Sequence, residues 1–215
     1  MLLEVSKCCL GIVRAHGQAY LWCMMTERSD QTGYLSGQLL IAMPGMPDPR
    51  FAKTVIYVCA HNDEGAMGLV VNRPLDTLAF PDLLEQLGIE SSKVHDQIRV
   101  LAGGPVEAGR GFVLHSCDYF QEATMRVNAD VGLTATIDIL RAIAVGNGPQ
   151  KSLLALGYAG WGAGQLDVEI KENGWLNVES DNKLLFEDDL DVRWQHAMEK
   201  IGIDPRMLSD EAGHA

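Results

Sequence analysis

This 215-residue sequence has no C-x-x-C pair, and its cysteines, Cys8, Cys9, Cys23, Cys59 and Cys117, are odd in number. A disulfide scaffold is therefore disfavoured. Cys59 lies in the apolar run Val55–Ala60 and reads as a buried structural thiol. Cys117 sits in a polar turn with His115 as the one neighbour able to lower its pKa. Basic runs are also missing. Seventeen Lys and Arg face 29 Asp and Glu, a formal charge of −12. Arg99, Arg110, Arg126, Arg141 and Lys151 are scattered. Nucleic-acid binders neutralise phosphates with clustered Lys and Arg, and the field of an acidic chain opposes that. Direct DNA binding is not expected.

Long apolar stretches are absent too. None reaches the roughly 18–20 residues of a membrane-spanning helix. Leu2–Met25 is interrupted by Glu4, Lys7, Arg14, His16 and Gln18. Cys8–Val13 is short for a signal-peptide core and runs into Arg14. The expectation is a cytoplasmic protein with no membrane association. No internal repeat, low-complexity tract or linker is visible.

Hydrophobic residues make up 47% and charged residues 21%, ordinary for a globular domain able to bury its own core. Residues 1–33 lack a clear period and end in the polar string Thr26–Gly33. They are expected to form a loosely ordered extension, with the domain proper spanning 34–215.

Within the domain, Gln38–Met43 is an apolar run closed by Pro44-Gly45-Met46-Pro47. Lys53–His61 and Ala66–Asn72 read as strands of a hairpin. Asp76 or Thr77 caps a helix to Leu87, stopped by Gly88. Ile98–Ala102 and Gly111–His115 are strands expected to pair, and Ala123–Val127 adds an edge strand. Thr136 opens a helix to Val145. Ser152–Tyr158 is a buried strand, Ala159–Gly164 a glycine-rich loop, Gln165–Lys171 a short helix and Trp175–Val178 a short strand. Leu190–Ile201 is an amphipathic helix. Hairpins and helices mix without strict alternation. That predicts an α+β single domain with a mixed, mostly antiparallel twisted sheet flanked by helices.

Chemistry-bearing residues are harder to group. His61, Asp63 and Glu64, even with His115, match no metal-ligand spacing, so no metal or cofactor is assigned. Ser116, Cys117 and Asp118 follow His115 directly, but chain neighbours seldom face one another as a triad, and no G-x-S-x-G elbow exists. No catalytic residue is assigned. Gly160-Trp161-Gly162-Ala163-Gly164 precedes a helix start whose N–H groups can hold an anion. The alternative is a tight turn that packs Trp161. Arg73, in Asn72-Arg73-Pro74, can fork onto a carboxylate or phosphate, or pair with a nearby acid. These strand ends define one candidate cleft for a small anionic ligand, lined by Asn72, Arg73, Gly103, Gly104, Trp161, Gly162, Gly164 and Gln165.

IAMPGMPDPRF, HNDEGAMGLVVNRP, GGPVEAGRGFVLH and GPQKSLLALGYAGWGAGQLDVEI resemble the signatures of the YqgE/AlgH proteins. The resemblance runs from about Tyr34 to Ala215 and leaves out residues 1–33. It implies a bacterial protein with a compact α+β fold and no established activity or cofactor. Some members carry the name transcriptional regulator without a recognisable DNA-binding motif. The expected function is a non-catalytic regulatory or interaction protein with an unknown protein partner. The alternative is a binder of, or enzyme on, a small anionic ligand.

Overall fold

Gln38–Ala42 opens the sheet as β1, and four of its five side chains are buried. Burial on both faces marks a strand covered on both sides, because successive side chains point to opposite faces. β2 (Val55–Asn62) and β3 (Gly65–Val70) follow as the expected antiparallel hairpin. Then come α1 (Phe80–Gln86), β4 (Val100–Ala102), β5 (Val106–Ser116), β6 (Met125–Arg126) and β7 (Val131–Thr134). The chain continues through α2 (Ile137–Ala144), β8 (Ser152–Gly162), α3 (Gln165–Lys171), β9 (Trp175–Glu179), a π-helical turn (Lys183–Glu187) and α4 (Arg193–Lys200). This computed structural model describes residues 34–90 and 98–204, so the extension expected over residues 1–33 lies outside the described residues.

The strands form one curled sheet in the order β6-β7-β5-β8-β3-β2-β1-β9, with β4 against β8. Every pairing is antiparallel except β4 with β8. This is the α+β, mostly antiparallel architecture that the mixed pattern predicts.

β8 is the pivot. Residues 152–156 pair with β5, and Ala159–Gly162 pairs with β3. Between them Gly157 takes φ +72°. A Cβ there would sit 2.4 Å from the Gly104 carbonyl oxygen. Gly103 adds a stitch: its N–H donates to Leu156 O at 2.7 Å, and its carbonyl accepts Val70 N–H at 2.8 Å. The two motif glycines thus serve a backbone crossing where side chains do not fit.

Both sheet faces are covered. Leu39, Ile41, Tyr57, Leu69 and Leu114 pack with Trp194, Ala197 and Met198 of α4. The alternating Leu40, Ile56, Val58 and Val70 pack with Trp161, Trp175 and Leu166 of α3. A third cluster joins Phe80 and Leu84 of α1 to Ile139 and Ile143 of α2 over Val113 and Leu154. Burying one such side chain fully is worth about 1.5–3 kcal/mol.

Three expectations need correction. β5 does not pair with β4: it reaches back to Val106 and pairs with β7 and β8, while β4 lies parallel to β8. β4 spans three residues, and Gly103 then spends its groups on Leu156 and Val70. The supposed loop Ala159–Gly164 is strand as far as Gly162. Val131–Thr134 is a strand that alternation did not reveal, because all four residues are buried.

Candidate functional site

The chemistry of α3 starts from two tryptophans that need acceptors. Trp161 is the last residue but one of β8 and Trp175 begins β9, and both are buried. A buried indole N–H requires a hydrogen-bond partner. Glu169, on the helix between them, provides it: its Oε2 accepts both indole N–H groups at 2.8 Å. Gln165, one turn earlier, donates to Glu169 Oε1 at 2.8 Å and accepts Gly162 N–H at 3.0 Å.

Above this network lies a groove of about 560 Å³. Trp161 and Trp175 form its floor at 5.9 Å between ring centroids, edge to face, and Phe51 stacks its edge on Trp175 at 5.7 Å. The rim comes from Met46, Pro47, Asp48, Arg50 and Phe51 of the β1–β2 connection, from Pro105 and Val106, and from Glu172 just after α3. Asp48 is bound by Arg50 through its backbone N–H and three guanidinium contacts of 3.0, 3.1 and 2.7 Å. Those Arg50 hydrogen bonds hold the Asp48 carboxyl below its usual range.

The eight expected site residues do not line one cavity. Trp161 and Gln165 line the groove. Gly162 spends its N–H on Gln165. Gly164 caps α3 in a left-handed conformation (φ 69°), and its Cβ position is open. Gly103 and Gly104 belong to the backbone crossing. Asn72 and Arg73 line a second cavity of about 740 Å³ with Lys53, Leu190, Asp191, Trp194 and others. Asn72 ties down the turn before β2 by accepting Val55 N–H at 2.8 Å and donating to Lys53 O at 2.9 Å. Arg73 donates to the carbonyls of Arg50 and Ala52. Its partners are neutral main chain, where a carboxylate or phosphate was anticipated. Residues 50–53 therefore stand between the two cavities.

Glu169, Trp175 and Phe51 escaped the sequence reading. The available signal was two tryptophans flanking one short helix that carries a single central glutamate.

Two of the described histidines are buried, and His115 has both ring nitrogens in hydrogen bonds. His61 Nδ1 accepts Leu35 N–H at 3.2 Å, so its proton sits on Nε2, 3.8 Å from Asp167. Burial lowers its pKa, and Asp167 opposes the shift. His115 Nδ1 lies 3.0 Å from the Ser116 carbonyl and must donate to it. Its Nε2 then accepts Thr134 Oγ1–H at 2.9 Å, while Thr124 Oγ1 donates to Thr134 at 2.8 Å and accepts Gln121 N–H at 3.1 Å. Burial also lowers the His115 pKa. Among the described residues no group of three or more His, Cys, Asp or Glu could hold a metal ion. No described helix is long and apolar enough to cross a membrane.

Fold and groove together define a small α+β domain with a curled sheet and a tryptophan-floored surface groove. The AlgH-like family model (DUF179) matches residues 39–206, and the chain belongs to that family. It is 56% identical over 192 residues to a UPF0301 protein of Rhodospirillum rubrum, covering 89% of this chain and all of that one. A UPF0301 protein of Bradyrhizobium diazoefficiens is 58% identical over 191 residues, covering 85% and 89%. The solution structure of the AlgH protein from Pseudomonas aeruginosa superposes with a TM-score of 0.70 at 42% identity, covering 88% of this chain and all of that one. A crystal structure from Corynebacterium diphtheriae shares the fold at 19% identity and a TM-score of 0.64, covering 84% and 92%.

Proposed function

We infer that the protein works by binding, as a non-catalytic regulatory or interaction protein, and that the tryptophan-floored groove is its binding surface. The observation that carries this reading is Glu169, fixed by three donors beside an aromatic floor. The groove thereby combines apolar area with one oriented polar group, as binding sites do. Both ring nitrogens of His115 are taken by hydrogen bonds, which favours binding over proton-transfer chemistry there. A direct DNA-binding role finds no support in a charge of −12.

The second reading places an anionic ligand in the cavity of Lys53 and Arg73. It draws on Arg73, whose two carbonyl partners leave its charge uncompensated by them. Asp191 and Asp204 on the same cavity wall weigh against it.

The indole N–H resonances separate the two readings. Trp161 and Trp175 report on the groove, and Trp194 reports on the other cavity. Titration with a panel of neutral and charged organic fragments is expected to move the Trp161 and Trp175 signals, assigned by single Trp→Phe variants. Inorganic phosphate moving Trp194 instead would overturn the first reading in favour of the second.

A further inference from the structure

Resting on the reading of the groove as a binding surface, we propose that its occupant is an arginine side chain presented by a basic segment of a partner protein. The charge inventory comes first. Asp48 and Arg50 neutralise each other at the rim. Glu169 of α3 and Glu172, the residue that caps its C-terminus, remain, three residues apart, and neither is in an ion pair among the described residues. The groove therefore carries an excess of two negative charges.

Geometry narrows the cation. A carboxylate offers about four acceptor positions. Trp161 and Trp175 fill both on Glu169 Oε2, and Gln165 fills one on Oε1. One position on Oε1 is left for a donor from outside. The donors already present fix the carboxylate, so an incoming group meets a preset orientation. The floor is aromatic, and planar guanidinium stacks on such rings while forking onto carboxylates, which a lysine ammonium does less well. Met46, Pro47, Pro105 and Val106 supply an apolar lining for the alkyl stem. Val106 is 36% exposed although it is a large apolar residue.

The chain as a whole agrees. A formal charge of −12 draws a basic partner towards it and repels acidic ones. That favours a side chain on a basic protein segment over a lone small cation, which has less charge for the field to act on.

The test is a titration of the full chain with acetyl-Gly-Arg-Gly-amide and its lysine and citrulline counterparts, read at the indole resonances. Citrulline keeps the shape of arginine and removes the charge. The arginine peptide is expected to move Trp161 and Trp175 with a Kd about tenfold or more below that of the citrulline peptide. Glu172→Gln, an exposed change, is expected to weaken the arginine peptide about threefold or more. Glu169→Gln, its fold checked by the same spectrum, is expected to abolish the preference for arginine over citrulline. Equal binding of the arginine and citrulline peptides would overturn the cation assignment and leave the groove reading standing. Tighter binding of the lysine peptide would overturn the choice of guanidinium. Butylguanidinium matching a longer Arg-containing basic peptide would replace the protein partner by a free small cation. If no peptide moves either resonance, the proposal fails, and the organic-fragment titration then decides separately whether the groove binds anything.

Discussion

Gly157 and Gly164 share a left-handed backbone, with φ of 72° and 69°, but differ in the space around them. A Cβ on Gly157 would lie 2.4 Å from Gly104 O and 2.9 Å from Val106 O, whereas nothing lies within 4 Å of one on Gly164. Replacing each by alanine therefore separates the cost of conformation from the cost of crowding. The left-handed conformation costs an L residue about 1–2 kcal/mol. Crowding against backbone, which cannot rotate away, adds about 1–3 kcal/mol. Gly164→Ala should lose about 1–2 kcal/mol, and Gly157→Ala about 2–5 kcal/mol. For a chain of this size each kcal/mol lowers Tm by about 2–4 °C. The assay is urea unfolding of both variants beside the parent, with m-values compared to confirm the same unfolding reaction. If Gly157→Ala loses no more than Gly164→Ala, the backbone crossing at β8 is not the constraint described here.

Acid should destabilise the fold in the window below about pH 6.5, the ordinary histidine value. Burial lowers the pKa of both His61 and His115, so the unfolded chain binds more protons there, and stability rises with pH up to that value and is fully present above it. Urea unfolding at pH 5 and pH 7.5 checks this, His115→Gln should shrink the difference, and equal or greater stability at pH 5 would refute it. Arg193 is 1% exposed, donates to the carbonyls of Val71 and Asp188, and has its pKa lowered by burial to about 10, so it stays charged at neutral pH. Arg193→Ala orphans both carbonyls and should cost about 2–6 kcal/mol at about 1–3 for each group, and a loss below about 1 kcal/mol would show that water satisfies them. Lys151 and Glu187 form an exposed pair; Glu187→Gln should change stability by less than about 1 kcal/mol, and a larger loss in the same urea assay would mark the pair as part of a coupled network.

Elements with a plain period were legible from residues alone. The β2–β3 hairpin follows from β-branched runs around Asn62–Gly65. α3 follows from the sequence Gln165–Lys171, which forms a helix over those same residues. Legibility failed where burial erased the period. Val131–Thr134 is buried throughout, and Gly132 is there because a Cβ would sit 3.0 Å from His115 Cε1. The pairing of β4 was hidden because a parallel partner 54 residues further along the chain leaves no local turn signal. β4 contacts β8 through Val100–Leu154, Leu101–Ala155 and Ala102–Leu156.

The candidate site shows a different limit. Arg73 and the glycine-rich segment were joined in the sequence reading because both end strands and both suit an anion. The groove was unseen because its key acceptor, Glu169, looks like any helix glutamate until the two indoles are placed beside it. Arg73 drew attention because a cation at a strand end suggests an anionic partner. Its actual partners are the carbonyls of residues 50 and 52, and no sequence pattern records where a main-chain carbonyl points. Those carbonyls belong to the turn whose side chains, Arg50 and Phe51, wall the tryptophan groove, and whose next residue, Lys53, lines the second cavity. One short segment thus closes both cavities, and Arg73 holds it in place from behind. Its placement reads more economically as the brace of the groove wall than as a ligand contact. Carbonyl oxygens supply the negative dipoles that the half-buried Arg73 guanidinium needs, so its placement calls for no anion.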